Sequence, residues 1–262
     1  MRYVCFTPSF LELNAPMKKA EMIFGTRAVM EAVKAGREIE KIFVQSGLNN
    51  DLVNELIMVA NAQGVPLSFA PQQKLNRLST KNHQGVICLL SAVKYAVMED
   101  LIDKAYSDGK EPFFLILDRI TDVRNFGAIA RTAECAGLTG VIVPEKGGAS
   151  ITADAMKTSA GALSYLPVCR ARDLKKAIQA LKENGIQILA CTEKAAQPIY
   201  EVDMAGPIAL LLGSEEDGIA PNLLREADHL VKIPMFGNIA SLNVSVSAGI
   251  ALYEAIRQKG YK

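Results

Sequence analysis

Residues 233–257, which read IPMFGNIASLNVSVSAGIALYEAIR, constrain the fold of this chain more than any other stretch. From Leu242 to Leu252 the sequence is apolar on nearly every side of a helix, with Glu254, Arg257 and Lys259 only near the end. A helix that is apolar all round is expected to be buried, so the rest of the fold must wrap it. Ahead of it a short apolar run (Leu230, Val231, Ile233) meets Pro234 and a Gly237-Asn238 turn, and Ser241 is placed to cap the helix. The helix start carries Ser241, Asn243, Ser245 and Ser247, four small polar groups that need partners if buried. Two readings are open. They cap and bond one another, or they face a ligand, because a strand leading through a loop into a helix start is where α/β folds hold ligands.

The preceding 120 residues alternate between strand and helix patterns. Segments 113–117, 140–143, 187–191, 208–212 and 230–233 read as strands, and 125–136, 173–183, 221–227 and 242–258 as helices. Gly137 and Gly185 stop two of these helices and Pro221 opens a third. This alternation predicts a mostly parallel sheet covered on both faces, and no G-x-G-x-x-G follows any strand, so an ordinary dinucleotide site has no fingerprint. Residues 22–95 read as a smaller α/β unit, with helices at 26–34 and 51–61 and strands at 39–44, 65–69 and 86–90. Residues 96–110 read as a linker with helical character at 98–106, and 111–262 as the larger domain. Residues 1–21 lack the features of a signal peptide and read as a short extension, or as following an upstream start with Met17 or Met22 as alternatives.

Composition excludes more than it assigns. The 29 Lys+Arg nearly balance the 28 Asp+Glu, so a nucleic-acid partner must be met by a local patch. Cys5, Cys88, Cys135, Cys169 and Cys191 are scattered without a C-x-x-C pair, which points to reduced thiols in a cytosolic protein and away from a zinc site. His83 and His229 are the only histidines, and no apolar run approaches the ~20 residues of a membrane span.

Three further stretches carry chemistry. In Asn125-Phe126-Gly127-Ala128-Ile129-Ala130-Arg131-Thr132-Ala133, Arg131 lies in an otherwise apolar helix. It either pairs with Glu134 at the edge or grips a phosphate or ribose oxygen with its planar fork. In Leu212-Gly213-Ser214-Glu215-Glu216-Asp217-Gly218, Gly213 marks either a simple turn or a close ligand approach at a strand's end. Between Pro71 and Tyr95 there is no acidic residue, and Lys74, Arg77, Lys81 and His83 form either a solvated basic face or a phosphate-contacting patch.

In this order, the 125–133, 210–218 and 233–254 stretches resemble the three motifs of the SpoU (TrmH-type) ribose methyltransferases of the SPOUT superfamily. Ile23-Phe24-Gly25 and His83-Gln84-Gly85-Val86 resemble the ends of the ribosomal-protein-like substrate-binding domain that precedes many such catalytic domains, with Cys88 where alanine is common. The resemblance implies a C-terminal trefoil knot, although knots are nearly absent from proteins in general. It implies S-adenosyl-L-methionine as cofactor, contacted by Gly213, Ile233, Met235 and Leu242, and no metal. It implies catalytic roles for Arg131, Asn125, Glu215, Ser241 and Asn243, with RNA met by Lys74, Arg77, Lys81 and His83. A homodimer with the active site near its interface is also implied. The layout most resembles enzymes that methylate a guanosine of 23S ribosomal RNA; a transfer-RNA enzyme, a resistance-type ribosomal methyltransferase and a non-catalytic RNA-binding or assembly protein are the alternatives.

Overall fold

The computed structural model describes residues 22–239 and 241–260. The expected 1–21 extension lies outside the described residues. The N-terminal unit runs β1 (Met22–Phe24), α1 (Thr26–Lys34), β2 (Ile39–Gln45), α2 (Asp51–Ala62), β3 (Leu67–Ala70), α3 (Gln72–Leu78) and β4 (Val86–Leu90). Its strands lie in the order β1-β4-β2-β3, with β4 antiparallel to both neighbours and β3 parallel to β2. Strand residues alternate between faces. Ile42 and Val44 accordingly join Val29, Val33, Val53 and Leu56 under α1 and α2, while Phe43 turns to Leu75 of α3 on the other side. One irregularity interrupts β2. Ile39 pairs with Leu90 and Lys41 with the adjacent Leu89, so Glu40 is the extra residue of a β-bulge.

The larger unit runs β5 (Tyr95–Ala96), α4 (Met98–Ser107), β6 (Phe113–Leu117), α5 (Val123–Cys135), β7 (Gly140–Pro144), α6 (Ala153–Thr158), β8 (Val168–Ala171), α7 (Leu174–Glu183), β9 (Gln187–Cys191), β10 (Gln197–Pro198), β11 (Ile208–Leu212), α8 (Pro221–Leu224), β12 (His229–Lys232) and α9 (Val244–Lys259). Eight strands form one sheet, β10-β12-β9-β11-β6-β7-β8-β5, and every neighbouring pair is parallel. Both faces are covered, as the near-continuous apolar strands demand. Leu115, Leu117, Leu210 and Leu212 pack under α5, α6 and α9, and Phe114, Ile116, Ala209 and Leu211 under α4 and α7.

The helical character expected at 98–106 within the 96–110 linker is helix α4, whose Met98 and Ile102 are buried against the large sheet, and Tyr95-Ala96 is that sheet's edge strand. Two expectations are corrected. Asn243, not Ser241, caps α9, its side chain accepting from Ser245 N at 3.0 Å. The helix is also not buried all round. Ala248, Ala251, Leu252 and Ala255 face the core, whereas Val246 and Tyr253 are 49% and 47% exposed. The small alanines let α9 lie close to α5, and the bulkier residues are left outside. Among the described residues no helix is long and apolar enough to cross a membrane.

Gly127 is a packing glycine. A Cβ there would lie 2.1 Å from Thr158 Oγ1 and 2.8 Å from the Thr158 carbonyl carbon, so α6 approaches α5 only because no side chain intervenes. The two domains are joined by a buried latch. The bulge sends Glu40 out of β2 to meet Arg170 of β8, Nη2 to Oε2 at 2.5 Å, with side-chain exposures of 9% and 14%. Tyr95 donates its hydroxyl to the same Glu40 oxygen at 2.5 Å, and the guanidinium lies 3.7 Å from the Tyr95 ring centroid. Arg170 Nη1 also donates to Ile39 O at 3.2 Å. Burial, reinforced by the Glu40 charge, pushes the Tyr95 phenol well up.

Arg170→Ala leaves the Glu40 carboxylate buried and unpaired, and is expected to cost about 3–5 kcal/mol in urea unfolding. Gly127→Ala overpacks the α5–α6 contact and is expected to cost about 1–3 kcal/mol in the same measurement.

Candidate active site

Helix α5 begins at Asp122, whose Oδ1 accepts from Arg124 N at 2.7 Å and Asn125 N at 2.9 Å. These backbone bonds hold the carboxyl below the usual carboxylate range. They also fix Asn125 in the first turn. Its Nδ2 donates to Glu215 Oε1 at 3.1 Å. Asn243 Nδ2 donates to the same oxygen at 2.6 Å and to Asn125 Oδ1 at 3.1 Å, and Val244 N approaches Glu215 Oε1 at 3.4 Å. Asn243 thus caps α9 with its oxygen and binds Glu215 with its nitrogen. Ser245 Oγ donates to Asn243 Oδ1 at 2.6 Å, so part of the polar helix start does bond within itself.

Glu215 is presented by a closed loop. Ser214 N donates to Gly218 O at 3.2 Å and Gly218 N to Ser214 O at 3.0 Å. A Cβ on Gly213 would lie 2.1 Å from the Gly218 carbonyl carbon. The glycine is therefore required by the chain's own return, and it lines a cavity as well. The loop is clamped from β6. Asp118 is 4% exposed and accepts from Ala220 N at 2.8 Å through Oδ2. Arg119, at φ 58°, donates to Asp118 Oδ1 at 3.1 Å, Asp217 Oδ2 at 3.1 Å and Gly218 O at 3.0 Å. The Asp118 hydrogen bond above all raises the Arg119 guanidinium further. The sequence pattern ends the strand at 117 and leaves this clamp unread; an acid–base pair directly after a buried strand, Asp118-Arg119, was the available signal.

Two cavities adjoin the Glu215 junction at the carboxyl ends of the strands, the usual ligand position in an open α/β sheet. The first, about 470 Å³, is lined by Gly213, Glu215, Ile233, Met235, Ser241, Leu242 and Asn243. The second, about 340 Å³, is lined by Arg119, Asp122, Asn125, Gly147, Glu215 and Asp217. Eight of the nine residues expected to be catalytic or cofactor-binding are thus gathered here. Arg131 is not. It is exposed, lines neither cavity, and among the described residues makes no hydrogen bond or ion pair, so the pairing with Glu134 does not form. Six residues of helix carry it about 240° round the axis from Asn125.

On the N-terminal unit, Lys74 and Arg77 are exposed on α3, and Lys81 lies beyond its end. Lys74 Nζ stands 5.6 Å from the Phe43 ring centroid and Lys81 Nζ 5.5 Å from that of Phe24. His83 departs from its expected place on this face. It is 7% exposed; Gly85 N donates to its Nδ1 at 3.0 Å, and Nε2 meets Asn76 Oδ1 at 2.9 Å. Both ring nitrogens are used to fold the loop, leaving none for RNA. The described cysteines are free, and burial pushes the Cys88 and Cys169 thiols up to about 12. Among the described residues no group of His, Cys, Asp and Glu is placed to hold a metal ion.

A parallel sheet with a cavity at its strand ends, joined to a small sheet domain bearing exposed lysines, has the layout of a two-domain α/β enzyme. The sequence pattern of the SpoU rRNA Methylase family matches residues 112–253, and that of the RNA 2'-O ribose methyltransferase substrate-binding domain matches residues 22–96. A Bacillus subtilis (strain 168) protein named putative TrmH family tRNA/rRNA methyltransferase YacO is 34% identical over 239 residues, 91% of this chain and 96% of the relative. An AdoMet-bound rRNA methyltransferase from Sinorhizobium meliloti is similar in structure, with TM-score 0.56, 25% identity, and 90% and 86% of the two chains covered. A structure described as RNA 2'-O ribose methyltransferase gives TM-score 0.53 at 28% identity over 91% and 88% of the chains. The chain belongs to the SpoU rRNA methylase family, and is an S-adenosyl-L-methionine-dependent RNA 2'-O-methyltransferase with an N-terminal substrate-binding domain.

Asp118→Ala orphans the Ala220 amide and frees Arg119. Calorimetry is expected to show S-adenosyl-L-methionine binding weakened about tenfold, in line with the 1–3 kcal/mol of an unsatisfied buried group, while circular dichroism shows the sheet intact.

Proposed function

We propose that this enzyme methylates the ribose 2'-hydroxyl of a guanosine in 23S ribosomal RNA, working in the cytoplasm as a homodimer. The observation that carries the reading is the Glu215 junction, which draws Asn125, Asn243 and the start of α9 together between two cavities.

The larger cavity fits the cofactor. Its 470 Å³ falls within the ~300–1,000 Å³ of small-molecule sites. Ile233, Met235 and Leu242 would cover an adenine, and Gly213 would leave room beside the strand end. S-adenosyl-L-methionine, when bound, supplies a methyl group already activated on a sulfonium. The chain's contribution is alignment. Glu215 fixes the Asn125 and Asn243 amides, and Ser241 and Asn243 border the cavity where the ribose must approach. Arg131 orients the hydroxyl and stabilises the negative charge that develops on its oxygen. It does not serve as a general base, because a guanidinium keeps its proton.

Arg131 stands away from both cavities of its own chain, which supports a site completed across a dimer. Gly249 of α9 lies beside Thr132, Val246 and Tyr253 are exposed two turns apart on that helix, and Ile239 and, at 98%, Phe236 are exposed in the segment before it. Large exposed apolar side chains of this kind are what an interface covers. Packing this face on a second copy would cover α9 on its remaining side and bring Arg131 to the other subunit's Glu215 junction. The path of the chain supports a knotted C-terminus: β12 pairs with β9 beyond β11, and the chain then comes back to lay α9 on α5.

Labelled methyl transfer to 23S ribosomal RNA lacking the modification is expected to leave one alkali-resistant linkage, absent with Arg131→Ala and strongly reduced with Arg131→Lys. A resistant site in transfer RNA would overturn the substrate, and full activity of Arg131→Lys would overturn the fork's role. Light scattering at micromolar protein is expected to give twice the chain's mass; a monomeric mass would sink the shared site.

A further inference from the structure

The larger cavity suits the cofactor; the 340 Å³ cavity is lined for something else. Its wall carries four carboxylates, Asp122, Glu215, Glu216 and Asp217, against one cation, Arg119. That cation is already matched by ion pairs with Asp118 and Asp217, each at 3.1 Å. A phosphate would be repelled here. Among the described residues no group of His, Cys, Asp and Glu is placed to hold a metal ion either. A neutral group that offers N–H donors fits this wall, and two of the carboxylates have acceptors left for it. Glu216 makes no hydrogen bond or ion pair among the described residues. Asp122 spends Oδ1 on the amides of Arg124 and Asn125, and its Oδ2 accepts nothing among the described residues. Those two amide bonds fix the carboxyl group at the head of α5 and keep it ionised, so that it only accepts. Asp122 lines this cavity alone, whereas Ser214, Glu215, Glu216, Asp217 and Val244 form a wall shared with the larger one.

We infer that this cavity receives the base of the target nucleotide, turned out of its stack, and that Asp122 Oδ2 and Glu216 accept from the N–H groups of its Watson–Crick edge. The inference rests on the RNA methyltransferase reading above, with the cofactor in the larger cavity, and names the residues that select the base. Enzymes that take a base out of its stack read it along that edge. Among the four bases only guanine offers two neighbouring donors there, N1–H and the 2-amino group. Adenine and cytosine set a bare ring nitrogen beside their amino group, and uracil flanks its one N–H with two carbonyls. Toward two carboxylates, each of these three brings a lone pair against a negative charge. A base held in this cavity would leave its ribose at the shared wall, beside Asn125 and Glu215, where a methyl donor in the larger cavity would reach it.

The test uses the full-length protein and the RNA that carries the alkali-resistant site, prepared as a ligated transcript with guanosine or adenosine at that position. Asp122→Asn suits the purpose because asparagine caps a helix as well as aspartate does. The amides of Arg124 and Asn125 hold its oxygen, so its amino group stands where Oδ2 was. Asp122→Asn and Glu216→Gln are each expected to lower kcat/KM on guanosine about tenfold, in line with one lost base contact. On adenosine they are expected to lose nothing, so the preference for guanosine narrows by the same factor. Thermal stability and S-adenosyl-L-methionine affinity should match those of the unaltered protein. Wild-type preference in either variant would overturn the inference, and that includes an equal loss on both RNAs, the pattern of a merely structural role. A methylated site at a base other than guanosine would also overturn it, while leaving the methyl transfer itself intact. A guanosine in transfer RNA would overturn only the ribosomal substrate, and the same comparison then decides on that RNA. No transfer to any RNA would bring down both readings.

Discussion

One carboxylate oxygen, Glu215 Oε1, ties together three stretches that are far apart in sequence. It accepts from the side chain of Asn125 at the head of α5, from that of Asn243 at the head of α9, and at longer range from the Val244 amide. Each of these hydrogen bonds is modest on its own, since the groups are open to water. Their effect lies in shared geometry. Asn243 caps α9 and touches Glu215 at once, so the start of the helix and the loop after β11 cannot shift independently. The cavity walls formed by Ile233, Met235 and Leu242 belong to the segment pinned at that point.

Beneath this exposed junction lies a drier one. Asp118 is buried at the end of β6 and holds both Arg119 and the Ala220 amide, and Arg119 in turn holds the Gly218 carbonyl. The loop that presents Glu215 is thereby closed twice, once on itself and once onto the neighbouring strand. A wet hydrogen-bond cluster can keep one arrangement only when its support is this rigid.

Much of the fold was legible because apolar runs bounded by glycine are unambiguous. Strands 86–90, 113–117, 187–191 and 208–212 and helix 26–34 fall where the pattern places them. The short elements left little trace: α6 spans six residues and β8 four, too few for a period to develop. Helix α4 was taken mainly for a linker because its charged face, rather than its buried Met98 and Ile102, dominates the reading. Ser241 and Asn243 are both good capping residues, and the choice between them depends on Glu215, 28 residues upstream of Asn243. The family motifs located the residues that line the cavities. They could not reveal that His83 is consumed in folding its own loop, or that a bulge in β2 reaches Arg170, because neither contact leaves a periodic signal.

Tyr95-Ala96 lies at the end of the substrate-binding pattern, yet it forms the outermost strand of the methylase sheet and pairs with β8. The two modules therefore overlap in space where they abut in sequence. A methylase domain separated just after Ala96 would expose the backbone edge of β8, the kind of bare edge that invites strand addition from another chain. Arg170 on that strand would lose both the ring it stacks on and the carboxylate it neutralises. Exchange of RNA-reading heads between relatives of this family would have to carry the edge strand along with the head, or supply a new cover for β8.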